Sequence, residues 1–94
     1  MPAIGVLTLE IVLRNAHSLK DKRHVVKSLK DRLRSKFNVA VAEIDYQDLW
    51  QRALVAAVTV ASDQGPAEKV LQSVEEEAAA LLGPELAGAT VEWL

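Results

Sequence analysis

Ninety-four residues, half of them apolar and with a formal net charge of −2, describe one globular domain over residues 1–94 and exclude a second. The absence of cysteine excludes disulfides, thiolate catalysis and cysteine-held metal, and it agrees with a reducing compartment. The longest uncharged apolar run, Ala53 to Ala61, is about half the ~20 residues a membrane-spanning helix needs, and Pro2 to Leu13 carries Glu10 with no basic leader, so no membrane attachment and a cytoplasmic location are expected.

Ile4 to Leu13 alternates, with Leu7, Leu9, Ile11 and Leu13 on one face and Val6, Thr8, Glu10 and Val12 on the other, which predicts a central strand. After a short connection, Ser18 and Asp21 match a capping box and open a helix that runs to Phe37. Leu19, Val26, Leu29, Leu33 and Phe37 fall on one side of that helix and face the core. Asn38 is placed to end it in the left-handed conformation. Val39 to Ile44 resumes period two as a short strand. Asp45 to Trp50 lacks an Asn-Gly or Asp-Gly pair, so the hairpin there is expected to be longer than two residues or bulged.

Arg52 to Ser62 is apolar on both faces, as a central strand is. Asp63 to Pro66 marks a second helix start with Pro66 suited to its first position. Ala67, Val70, Leu71, Val74, Ala78, Leu81 and Leu82 continue it as a clean stripe, and Gly83-Pro84 ends it. Ala89 to Leu94 supplies a last strand. The order β-α-β-β-α-β predicts an α/β (α+β) domain of ferredoxin-like architecture: a four-stranded antiparallel sheet, ordered 4-1-3-2, with both helices on one face.

Charge is distributed unevenly along this chain. Eight of the eleven Lys and Arg lie between Lys20 and Lys36 against Asp21 and Asp31, a local charge of +6, so the remainder carries −8. Lys20, Arg23, Lys27, Lys30 and Arg34 recur at threes and fours and form a stripe about a quarter turn from the apolar one. A row of like charges is either neutralised by the fold or presented to an anionic partner. With Arg14 and Arg52 near one end, it has the makings of a phosphate-contacting surface. The competing account is a solvated face paired with Glu68 and Glu75 of the second helix.

The predicted topology gathers Arg14, Asn15, His17, Lys20, Arg23, Asp45, Gln47, Asp48, Trp50 and Arg52 at one end of the molecule. Gln47, Asp48 and Trp50 are the candidate partner contacts there. Trp50 and Tyr46 serve either as an aromatic contact for a base or partner, or as a cap closing the core. Glu43, Asp45 and Asp48 are weak as a magnesium site and are expected instead to pair with Arg14, Arg52 or the helix start. His17 and His24, seven apart, would stand ~10.5 Å from each other on a helix, too far for one metal. No metal, no cofactor and no catalytic residue is expected. The two central strands, the first and the third, lack the aromatic rings that an RNA-binding sheet uses for stacking. The outer side formed by Val6, Thr8, Val12 and the third strand is mildly apolar, which is either an ordinary half-apolar surface or the contact of a homodimer through the open sheet face.

The run Ser18-Leu-Lys-Asp-Lys-Arg-His-Val-Val-Lys-Ser-Leu-Lys-Asp-Arg-Leu, then Lys36-Phe-Asn-Val-Ala-Val-Ala-Glu-Ile-Asp, then Gln47-Asp-Leu-Trp-Gln-Arg-Ala, resembles the YlxP-like family of small bacterial proteins of unknown function. The resemblance spans essentially the whole chain. It implies a ferredoxin-like domain, often encoded near transcription and translation factors, and implies no catalytic residue or cofactor. The expected function is a non-enzymatic binding protein associated with RNA or the ribosome through its basic first helix. The alternatives are a homo-oligomeric module that binds an acidic protein surface and, third, an enzyme on a small phosphorylated substrate. The last rests on topology shared with acylphosphatases, whose glycine-rich phosphate cradle is missing between Arg14 and Arg23.

Overall fold

In the computed structural model, which describes residues 1–94, the alternating segment becomes β1 (Ala3–Val12), the inner strand on which the sheet is assembled. It pairs antiparallel with β3 (Arg52–Ala61) on one side and with β4 (Leu86–Trp93) on the other. β2 (Ala40–Asp45) pairs antiparallel with β3 at the far edge, so the order is β2-β3-β1-β4, the expected arrangement. Helices α1 (Leu19–Lys36) and α2 (Gln64–Leu82) cover one face.

The period-two pattern decides which face is covered. Leu7, Leu9, Ile11 and Leu13 are all buried, and in the sheet the first three stand opposite Ala57, Val55 and Ala53. The small alanines leave depth for Val26, Leu29 and Leu33 of α1 and for Leu71, Val74, Ala78 and Leu82 of α2. Gly5 is needed on this face for a different reason. A Cβ there would stand 2.7 Å from both Leu71 Cδ1 and Trp93 Cζ3, so the glycine is what lets the indole lie across β1. The opposite face of the sheet has no helix over it, and Ile4 and Val60 are exposed there.

The ends of the elements refine the sequence-based expectations. The Asp21 backbone N–H donates to Ser18 Oγ at 3.1 Å, while Asp21 Oδ2 accepts from the His17 N–H at 2.9 Å, one residue earlier than a reciprocal capping bond. Asn38 does not take the left-handed role: the chain leaves α1 extended at Phe37, and the Asn38 carbonyl accepts from Thr59 Oγ1 at 2.8 Å. Pro66 is the third helical residue of α2 and not the first, because the helix already begins at Gln64. The last strand begins at Leu86, earlier than Ala89, directly after a short 3-10 turn at Gly83–Glu85. The β2–β3 connection has both expected features, a six-residue loop at 46–51 and a register shift between Glu43 and Asp45. Tyr46, at φ 63°, is the one non-glycine residue in the left-handed region.

Candidate functional site

The cations of α1 divide between its two flanks. Arg32 and Lys36 face α2, and both reach Glu77 at 3.1 Å. Their hydrogen bonds, that of Lys36 foremost, hold the Glu77 carboxyl below the usual carboxylate range. Glu68 and Glu75, the acids expected to neutralise α1, make no ion pair with it, because they lie on the opposite flank of α2 from Glu77, toward β4.

The other flank of α1 carries the predicted stripe. α1 lies over β2 and β3, and the side turned from α2 projects toward the β2 edge. Lys20, Arg23, Lys27 and Arg34 are exposed and Lys30 is half-buried. The single acid among them, Asp31, lies 2.7 Å from Lys27 Nζ and 3.5 Å from an Arg34 nitrogen. The hydrogen bond from Lys27, helped by the charges of Lys27, Arg34 and Lys30, holds the Asp31 carboxyl below its ordinary range. Lys20, Arg23 and Lys30 take no part in the molecule's ion pairs. One carboxylate therefore serves five cations.

One of the eight cations between Lys20 and Lys36 has a role that the sequence reading missed. Lys22 is fully buried although it sits on a charged helix. Its Nζ donates to the carbonyls of Tyr46, Gln47 and Arg52 at 2.6, 3.2 and 3.3 Å. An ammonium has three N–H groups, and these carbonyls take all of them. Glu43 Oε2, 3.0 Å away, accordingly receives the charge of the lysine but no hydrogen bond. The two ends of the hairpin loop are thus fastened to α1 through one side chain. A signal for this was present: Lys22 is four residues before Val26 and seven before Leu29, on the apolar stripe, and Glu43 shares the inward parity of Val41.

The same end of the molecule holds the remaining candidates, though not as one surface. The Leu13 N–H donates to the Gln51 carbonyl at 2.8 Å, and Gln51 Nε2 reaches the Arg14 and Ala16 carbonyls at 3.3 and 3.5 Å, so the β1–α1 and β2–β3 connections are joined. Arg14, His17, Gln47 and Asp48 are exposed there. Arg52 does not join the stripe. Its register opposite Val12 turns it to the uncovered sheet face, where it pairs with Glu10 and lies 4.5 Å from the Tyr46 ring centroid. Neither Asp45 nor Asp48 forms an ion pair with Arg14 or Arg52, and Asp45 Oδ1 instead accepts the Tyr46 N–H at 2.7 Å. Trp50 is not a cap on the core: it is 52% exposed and lines a shallow depression with Asp48, Leu49, Gln51 and Arg52. His24 faces solvent, and no group of three or more His, Asp or Glu comes together as a metal site would require.

Two helices on one face of an antiparallel β2-β3-β1-β4 sheet define a ferredoxin-like α/β protein. Within that class the chain belongs to the family described as "Protein of unknown function (DUF503)", whose model matches residues 4–90. It is 44% identical over 71 residues to the uncharacterized protein YlxP of Bacillus subtilis (strain 168), covering 76% of this chain and 77% of that one. Among solved structures it is similar to a dimeric ferredoxin-like protein of unknown function from Thermobifida fusca, with 15% identity, a TM-score of 0.50, and coverage of 97% of this chain and 90% of that one. It is also similar to a C-terminal segment of the alpha subunit of aIF2 from Pyrococcus abyssi, with 20% identity, a TM-score of 0.55, and coverage of 99% and 49%. At such identities these two likenesses establish the fold alone.

Proposed function

We propose that this protein binds RNA, free or within the ribosome, through the outer flank of α1, and that it does so without chemistry of its own in a cytoplasmic setting. The observation that carries the reading is the unequal division of charge on one helix. Arg32 and Lys36 are occupied by Glu77 and Lys22 by the hairpin, whereas five cations on the outer flank share only Asp31. Lys20 to Arg34 extends ~21 Å along the axis at 1.5 Å per residue, enough to follow several phosphates. Each phosphate neutralised releases counterions, so affinity falls with salt. Gln47, Asp48 and Trp50 stand exposed at the amino-terminal end of α1 to supply specificity, whereas Arg14, also exposed, lies beside Pro84 and Glu85. Arg52, held by Glu10 on the far face, is outside this surface.

Fluorescence anisotropy of a labelled, structured RNA across a salt series tests the reading. Binding that weakens steeply with salt and is lost on combining Lys27→Glu with Lys30→Glu is the expected result. A folded native chain that fails to bind at low salt contradicts it.

A second reading concerns the open sheet face. Val6 stands beside Val58 and Ile4 beside Val60, the last 59% exposed, and Ala40, Ala42 and Ala56 continue an apolar surface toward β2. Such a face is suited to a twofold contact with a second copy, and the Thermobifida fusca protein of similar fold is dimeric. Sedimentation of the native chain against Val58→Lys checks it: a mass that falls to the monomer only in the variant supports the dimer.

A further inference from the structure

The helix flank above the β4 edge is acidic, whereas the outer flank of α1 on the β2 side is basic. α2 packs mainly on β1 and β3, so the helix side of β4 is only partly covered. A groove of about 280 Å³ is left there, with Leu71, Val91 and Trp93 in its floor and Glu68, Gln72 and Glu75 along its rim. Val91 occupies the inward register opposite Leu7 and is nevertheless 44% exposed. Glu68 and Glu75 have no cationic partner in the molecule.

The strand beside the groove is also unpaired on its outer side. The Leu94 N–H donates to the Ile4 carbonyl at 2.9 Å. By antiparallel alternation the backbone groups of Glu92, Thr90 and Gly88 then face β1, and those of Ala89, Val91 and Trp93 face outward. The same residues whose backbone is free thus have side chains on the groove side. β4 carries no lysine or proline to blunt that edge.

We propose that this edge captures an extended, lysine- or arginine-containing segment of another protein, which adds to β4 as a fifth strand. Its outward-facing main chain would pair with Ala89, Val91 and Trp93. Alternate side chains would lie over the groove, their aliphatic stems on Val91 and Trp93 and their charged tips at Glu68 and Glu75. Those carboxylates are two helical turns apart, ~10.5 Å, between the ~6.8 Å and ~13.6 Å that separate cations two and four residues apart on a strand. A second copy does not fit the description. Of its strand residues only Arg52 is a cation, and Arg52 lies in the inner strand β3. The basic residues of α1 are helical and have no backbone groups to offer a sheet edge. This surface lies across the molecule from the outer flank of α1, and the inference stands whether or not RNA binds there.

The test is a titration of the ¹⁵N-labelled full chain with an acetylated, amidated octapeptide of alternating lysine and valine. Two further peptides, one with glutamate for lysine and one with a central valine replaced by proline, accompany it. The expected result is saturable shifts in the amides of residues 88–94 and in the first half of α2. These shifts should be absent with the glutamate peptide, weakened at least tenfold by the proline, and weakened at least tenfold in the Glu68→Gln, Glu75→Gln chain. Both glutamates are exposed, and the variant's own spectrum reports whether it folds. No shift at millimolar peptide, shifts confined to other residues, or equal binding by the folded double variant would overturn the proposal.

Discussion

The inner and the outer flank of α1 carry the same kinds of side chain and treat them in opposite ways. On the side of α2 a single glutamate, Glu77, accepts from both Arg32 and Lys36, and the buried face between the flanks places Lys22 among three carbonyls and a carboxylate. On the outer side Asp31 is the one acid beside five cations. Both sides carry lysine and arginine but their environments differ, so a lysine of this helix is a tether, half of an exposed pair, or an unpaired charge according to its angle around the axis. Only the last kind is available to a partner.

The comparison is broken most severely at Lys22. Replacing it with methionine keeps the apolar stem but leaves Glu43 and three carbonyls without their cation. Loss of one partner from a buried pair costs about 3–5 kcal/mol. Urea unfolding of Lys22→Met is expected to show a loss in that range, and the Lys22→Met, Glu43→Leu double variant a smaller one, since no unpaired charge is then left inside. Equal losses in both would mean that the carboxylate is irrelevant to the clamp. Next in size is Gly5→Ala, whose methyl would press on Leu71 and Trp93 at 2.7 Å. Overpacking of this kind costs about 1–3 kcal/mol, and the same unfolding measurement checks it.

The inner flank sharpens the comparison by a smaller effect, visible in pH dependence. The Glu77 carboxyl is held low in the folded chain by Lys36 and Arg32. Its contribution is therefore fully present above the carboxyl's unfolded pKa and disappears as pH falls through the lowered folded value. Thermal midpoints measured from neutral pH down into the acid range should converge for the native chain and Glu77→Gln as this contribution is lost. Curves that stay parallel throughout would show that the pair contributes nothing. The outer flank gives the least effect on stability: Lys20→Gln and Arg23→Gln should leave unfolding within about 0.5 kcal/mol of the native chain.

The fold was legible in the sequence for identifiable reasons. Alternation in β1, the Ser18–Asp21 cap and the two apolar stripes agree with one another, and agreement across levels is what specifies a structure. What escaped was a matter of angle and depth. Lys22 reads as solvent-facing because lysines usually are, and only its place on the apolar stripe, opposite inward-facing Glu43, distinguishes it. Choosing among Glu68, Glu75 and Glu77 as partner for α1 required knowing which flank of α2 turns toward its neighbour, and spacing within one helix does not carry that. The place of Arg52 along the chain groups it with the stripe, while the parity of β3 sends its side chain to the other face of the sheet.

The flanks also define the most direct test, because each can be inverted by the same change in net charge. One variant combines Lys20→Glu with Arg23→Glu, the other Arg32→Glu with Lys36→Glu, and both bind or fail to bind the same structured RNA over the same salt series. The outer pair should lose measurable binding, or, where binding survives, show a salt slope shallower by about 2, at roughly one unit per phosphate contact removed. The inner pair, once shown to be folded, should keep the native slope. Equal losses in the two variants would mean that bulk charge rather than the outer flank of α1 governs binding, and would contradict the account.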